Sequence, residues 1–347
     1  MLNRKGFLAE GVLEMHSTHR RRLILFIVVG AVLFYFSSRV GILRLYQGST
    51  VSMYVIAIGS IILLTGYSGQ ISLGNGAFMA IGAYVAVLSQ LYLDLPFFLT
   101  FFVAVLGAAL AGLVLGIAAA RLTGPYLAGA TLALAVALPS IANLFPVLGG
   151  EQGLGYDSGN APSLFGEVAR FKWLFWISSL AALITCLLLQ NVLKSRYGRA
   201  WKSIRSNSVA AELTGINAAK SKVLAFVLSA GIAGLAGAVL TMSLGTVSPS
   251  AFPLSLSFAL ITGAVIAGIS SLLPGSLVGA VVLVGMSQLV GALTTRFEIG
   301  DVLAQNLKEL IVSALLILAV VFTPNGPGEK IREMRDHRKH HSHGGHR

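Results

Sequence analysis

Charge is scarce in this chain. Only 11% of its 347 residues are Asp, Glu, Lys or Arg, against about 25% in soluble domains. Hydrophobic residues make up 55%, and the mean hydropathy is +0.81. Polar groups cannot cover a surface this apolar, so lipid must cover it. Acid is scarcer still, with 13 acidic residues against 25 basic ones. Cys186 is the single cysteine; no intrachain disulfide can form, and the thiol reads as a small buried hydrophobe. No G-x-x-x-x-G-K-[ST] loop occurs, so the chain does not hydrolyse ATP through that motif. No Asp, Glu, Lys, Arg or His sits centrally in an apolar run, which argues against a self-contained proton-coupled pump. No cluster of His, Asp or Glu marks a catalytic or metal centre, so neither catalytic nor metal-ligating residues are expected.

What the chain does have is long charge-free runs, at 23–38, 45–93, 95–120, 122–150, 173–193, 223–295 and 310–328. A helix needs about 20 apolar residues to cross a bilayer. The run at 45–93 holds two spans and the run at 223–295 holds three, so an all-α polytopic membrane protein of about ten helices is expected. The spans fall near 23–38, 46–65, 69–90, 97–120, 126–148, 172–193, 223–243, 256–272, 275–293 and 305–322. Pro139 lies inside the fifth, which a membrane helix tolerates when neighbours satisfy the freed carbonyl. The first 22 residues are polar and basic, and the run after them reads as a retained span rather than a cleaved signal.

Basic residues set the orientation. Segment 1–22 carries five, loop 194–222 seven, and the tail after 329 six, together 18 of the 25. Even numbers of spans separate the three clusters, so all fall on the cytoplasmic side; Arg39 and Arg44 then lie outside, which opposes this. The expected organisation is a cytoplasmic segment at 1–22, a transmembrane body at 23–322 and a cytoplasmic basic tail at 323–347. The body includes an inner loop at 194–222 and an outer loop at 149–171. Five of the seven histidines lie in the tail, where they read as a solvated tract. The pI of about 10.1 is a topology signal; nucleic acid is not an expected partner, whereas membrane lipid is.

Two stretches depart from plain anchors. The first, "TGYSGQISLGNGAFMAIGAY" at 65–84, carries Gln70, Ser72, Gly74, Asn75 and Gly76 within a charge-free run. Tyr67 to Gln70 reads as a tight inner turn. Gly74 and Gly76 permit close helix approach or a break. Gln70, Ser72 and Asn75 either line a polar path or hydrogen-bond neighbouring helices. Asn143 and Gln288 read as structural. The second stretch, "KSRYGRAWKSIRSNSVAAELTGINAAKSK", reads as helix over 199–213, a stop at Gly215, then helix. Its apolar positions include Trp201, Ile204, Val209, Ala210 and Leu213. Such an amphipathic inner helix fits a groove in a partner protein or rests on lipid headgroups.

The segment "SRYGRAWKSIRSNSVAAELTGINAAKSKVLAFVLSAGIAGLAGAVL" resembles the inner loop and following helix of the bacterial inner-membrane permeases of branched-chain amino acid ABC importers, the LivM/LivH family. "GYSGQISLGNGAFMAIGAYVAV" resembles that family's glycine-rich signature, and "FPVLGGEQGL" at 145–154 its external Gly-Gly loop. "SPSAFPLSLSF", "GAVIAGISSLLPGSLVGAVVL" and "FTPNGPG" follow in order, so the resemblance covers about residues 45–328.

The resemblance implies one half of an importer's permease pair, working with a second related permease subunit, two cytoplasmic ABC ATPases and an external solute-binding protein. ATP and Mg would be bound by the ATPases, with no cofactor in this chain. The inner loop would be the coupling element, carried by Arg199, Ile204, Arg205, Ala210, Ala211, Glu212 and Gly215. Gly149, Gly150 and Glu151 would meet the binding protein, although Glu151 also reads as an ordinary solvated acid. The solute would be a branched-chain amino acid.

Two departures stand out. Relatives often carry an acid at the position of Val209 and acid-Asn-acid where this chain has Ser206-Asn207-Ser208. Many also carry an acid near 136 and a base near 139, where this chain has Val136 and Pro139. Urea or a short amide is therefore an alternative solute. An ATP-independent channel is the alternative of another class.

Overall fold

The computed structural model describes residues 26–35, 37–122, 124–159, 161, 169–268 and 272–296, with four further positions between 307 and 314. The expected segment at 1–22, most of the span at 305–322 and the tail at 323–347 lie outside the described residues.

Apolar length determines the elements. A short apolar helix, α1 (Phe26–Tyr35), precedes eight helices long enough to cross a membrane among the described residues. These are α2 (Ile42–Ile61, continued by a π-helix at Ile62–Tyr67), α3 (Asn75–Leu93), α4 (Phe97–Ala119), α5 (Pro125–Leu144), α6 (Ala169–Lys194), α9 (Ala218–Leu244), α10 (Leu254–Ala267, entered through a 3-10 turn) and α11 (Leu272–Arg296). Two short helices, α7 (Arg196–Ser206) and α8 (Ser208–Leu213), form the basic loop. Two-residue strands β1 (Leu154–Gly155) and β2 (Thr246–Val247) pair antiparallel at the opposite end.

The centre is built on α2 and α9. Helix α9 packs against α3 and α4, while α2 packs against α6, α9, α10 and α11. Burial of apolar surface cannot hold helices together in lipid, so close backbone approach must contribute. A seam of small residues supplies it. A Cβ on Gly237 would lie 1.8 Å from the Met79 carbonyl oxygen, and one on Gly82 would lie 2.3 Å from Gly234 Cα. Along helix α5 only Leu127, Thr131, Ala135 and Ala142 are buried, and half of its residues are exposed.

Several boundaries differ from expectation, each for a local reason. Helix α3 starts at Asn75 rather than near 69. The Leu73 and Gly74 amides are taken by Thr131 Oγ1 and Ser72 Oγ instead of by helical carbonyls. Helix α5 ends at Leu144 rather than 148, because Phe145 precedes Pro146 and is extended (φ −101, ψ 112). Helix α9 starts at Ala218 rather than 223, with the Asn217 side chain capping the Lys220 amide at 2.9 Å. Helix α10 ends at Ala267, before Gly268 at φ +93. Helix α11 takes in Pro274 in its first turn, where the missing amide costs nothing.

Candidate functional site

The glycine-rich turn and the basic loop, about 140 residues apart in sequence, meet in space. At the foot of α2 the chain passes through its π-helical turn, and Gly69 adopts φ +73. The side chain of Arg205 lies along this turn. Its Nη1 donates to the Gly66 carbonyl, and a Cβ on Gly69 would lie 3.0 Å from its Cγ. Lys202 Nζ sits 4.8 Å from the centre of the Tyr67 ring, a cation–π contact. Gln70 Nε2 donates to Ser68 Oγ at 2.7 Å and to the Lys222 carbonyl at 3.1 Å. The loop is thus fastened to α2 by backbone acceptors and an aromatic ring.

The basic loop has its own caps and core. Ser195 Oγ accepts from the Tyr197 amide and opens α7. Asn207 Oδ1 accepts from the Ala210 amide at 3.0 Å and opens α8. Residues 199–213 are therefore two helices rather than one, because Asn207 is extended (φ −157) and caps instead of continuing. Gly215 closes α8 at φ +87, with its amide donating to Glu212 O and the Ile216 amide to Ala211 O. This is a Schellman-type end. Beneath, Trp201 is buried and its Nε1 donates to Ser221 O at 2.9 Å. Ile204, Ala211, Ala218 and Ile216 form a small core.

The residues expected to carry coupling therefore separate into three groups. Ile204 and Ala211 face inward. Arg205 reaches the α2 turn. Arg199, Ala210, Glu212 and Gly215 are exposed. Two further aliphatics, outside the expected coupling set, complete the outer face of α8: Val209 at 66% and Leu213 at 85% exposure. Their signal is present in the sequence, where both are apolar positions of the loop.

The polar residues of the glycine-rich stretch are all buried: Gln70, Ser72 and Asn75. Each engages the protein. Asn75 Nδ2 donates to Ser60 Oγ at 2.8 Å, and Ser229 Oγ donates to the Ser60 carbonyl at 2.9 Å, linking α3, α2 and α9. Ser72 Oγ accepts from the Gly74 amide at 3.3 Å. The Gly76 amide donates to Ser257 Oγ at 3.0 Å, and a Cβ on Gly76 would fall 2.6 Å from that oxygen. A Cβ on Gly74 would lie 3.0 Å from Thr131 O. Ser60, Thr131, Ser229 and Ser257 were not singled out from sequence, because a lone hydroxyl in an apolar helix does not announce its partner. A double-mutant cycle of Asn75→Ala with Ser60→Ala in detergent is expected to give a coupling of roughly 0.6–1.7 kcal/mol. Additive effects would show that the Asn75 amide is spent elsewhere.

At the opposite end, Gly149 and Gly150 adopt φ +78 and +55. Glu151 is exposed. Tyr156 anchors this loop: its hydroxyl lies 2.6 Å from Thr100 Oγ1, and its amide donates to Gly245 O. Burial pushes the Tyr156 hydroxyl up to about 12, with the Thr100 bond working against that shift and the neighbouring Asp157 charge adding to it. Val136 is exposed on α5.

The fold and this geometry define a polytopic α-helical membrane protein whose basic loop is fastened to the foot of α2. Residues 43–320 match the family model described as "Branched-chain amino acid transport system / permease component", and the chain belongs to that family. It is thus a multi-pass transport permease. The permease protein LivM of Escherichia coli is 27% identical over 304 residues, covering 80% of this chain and 68% of that one. The permease protein LivH of Escherichia coli is 28% identical over 191 residues, covering 55% and 54%. The ribose import permease protein RbsC of Haemophilus influenzae is 28% identical over 325 residues, covering 89% and 92%.

Proposed function

We propose that this chain is one permease subunit of an ATP-driven importer and forms half of the path for an aliphatic amino acid. The carrying observation is the outer face of α8. Val209 and Leu213 stand exposed on a capped helix, and that helix belongs to a loop fastened to the foot of α2. Two aliphatics held in water on a rigid platform fit the groove of a partner, here a cytoplasmic ATPase. A push on α8 would travel through Arg205 and Lys202 into α2, which packs on the helices of the bundle centre. The exposed length of α5 suits a second permease subunit, with the path between the two. The Gly149–Glu151 turns suit an external binding protein.

The amino-acid assignment rests on the family and on the LivM and LivH relatives. A pentose is the second reading, favoured by the ribose permease relative that matches almost the full chain. The test is to purify the chain from its native membrane and assay ATP hydrolysis with the binding protein plus leucine, ribose or urea. The expected result is a co-purifying ATPase stimulated by leucine. Stimulation by ribose or urea alone would replace the solute, and absence of any ATPase would contradict the reading.

A further inference from the structure

Between the foot of α2, the α4–α5 connection and the inner loop lies a cavity of about 370 Å³. That is within the range of small-molecule pockets, about 300–1,000 Å³. Its lining combines three chemistries. Arg205 and Lys222 supply two cations, and no acid lines the cavity. Arg205 spends one N–H on the Gly66 carbonyl and keeps four. Leu122, Leu127 and Ile71 supply an apolar wall. Thr65, Ser68 and Ser208 supply hydroxyls, which can accept as well as donate.

Two cationic residues take a carboxylate, the lining hydroxyls take an ammonium, and the leucine wall takes a branched alkyl group. One small molecule offers all three. We propose that this cavity is an inner-side binding site for a zwitterionic aliphatic amino acid, a reading that rests on the function proposed above and names a second place where its solute is held. The ligand would bridge Arg205 on α7, Lys222 on α9 and the α4–α5 connection. It would thereby hold the loop in the arrangement seen and bias against its movement. Solute accumulated inside would slow further import.

The probes are leucine, 4-methylpentanoate (no ammonium), 3-methylbutylamine (no carboxylate) and inorganic phosphate. They are tested by saturation-transfer NMR on the purified complex without its binding protein. Leucine is expected to bind, each truncated analogue to bind roughly tenfold more weakly, and phosphate not to displace leucine. Lys222→Gln is expected to weaken leucine binding roughly tenfold, Lys222→Arg to retain it. Leu122→Trp, which fills the cavity from its apolar wall, is expected to abolish it without removing a charge.

In proteoliposomes, uptake into leucine-loaded vesicles is divided by uptake into empty ones for each variant, so differences in basal activity cancel. The ratio is expected to fall well below one in wild type and to return toward one in Lys222→Gln. Equal displacement by phosphate would reduce the cavity to a plain anion site and overturn the proposal. So would unchanged binding and an unchanged ratio in Lys222→Gln and Leu122→Trp. Absence of leucine uptake into empty vesicles would instead overturn the proposed function, while the binding measurement would still report on the cavity.

Discussion

Leu213→Asp is expected to abolish solute uptake while the protein still folds and inserts. Leu213 is 85% exposed, so a carboxylate there is solvated and strains nothing within the chain. Helix α8 keeps its Asn207 cap and its Gly215 close. What the substitution removes is the aliphatic anchor offered to a partner. Anchors at the centre of an interface cost about 2 kcal/mol or more when lost, which corresponds to at least about a 30-fold loss of partner affinity. Co-purification of the ATPase and uptake should fall together. Ala211→Asp provides the contrast: Ala211 is buried against Ile204 and Ala218, so a carboxylate there disrupts the loop itself. A Leu213→Asp protein that still holds its ATPase and transports normally would remove α8 from the docking surface.

Gly237→Ala should have the largest effect on folding. The added methyl would sit 1.8 Å from the Met79 carbonyl oxygen, and its other near neighbours are the Met79 carbonyl carbon and Cα. A backbone cannot rotate out of the way as a side chain can, so α3 and α9 must separate. Overpacking typically costs about 1–3 kcal/mol, and an obstacle made of backbone puts this site at the upper end. Denaturation of the detergent-solubilised protein should show that loss. Gly129→Ala is the control: nothing lies within 4 Å of its Cβ position. Replacing a helix-interior glycine with alanine there is favourable by about 0.8–1.0 kcal/mol. Equal behaviour of the two variants would show that the α3–α9 seam is not the tight contact described.

The spans were legible because lipid demands long charge-free runs, and the sequence marks their ends with Arg, Lys and Asp. The rigid turn at 67–70 and the stop at Gly215 were legible because positive φ selects glycine. The break at Asn207 was not. Ser206-Asn207-Ser208 is a cap-type run set between stronger helix formers, and the extended backbone shows Asn207 capping a second helix. The start of α3 was misplaced because its first amides bond to Thr131 and Ser72, and a partner about 58 residues away leaves no local pattern.

At the candidate site, sequence located the glycine-rich turn and the coupling loop separately. Their junction through Arg205 and Gly66 is a tertiary contact between one side chain and one carbonyl, which no periodicity encodes. The amides and hydroxyls at Gln70, Ser72 and Asn75 had two readings from sequence. In the folded chain all three make internal hydrogen bonds, and only Gln70 keeps an acceptor in reserve.

The most direct measurement of the central claim is uptake of labelled leucine into proteoliposomes containing the chain, its co-purified subunits and the binding protein. ATP is supplied on the side of the basic loop. The account predicts uptake that requires ATP and is competed by isoleucine or valine but not by ribose or urea. Leucine movement that proceeds equally without ATP would mark the chain as part of a facilitator and contradict it.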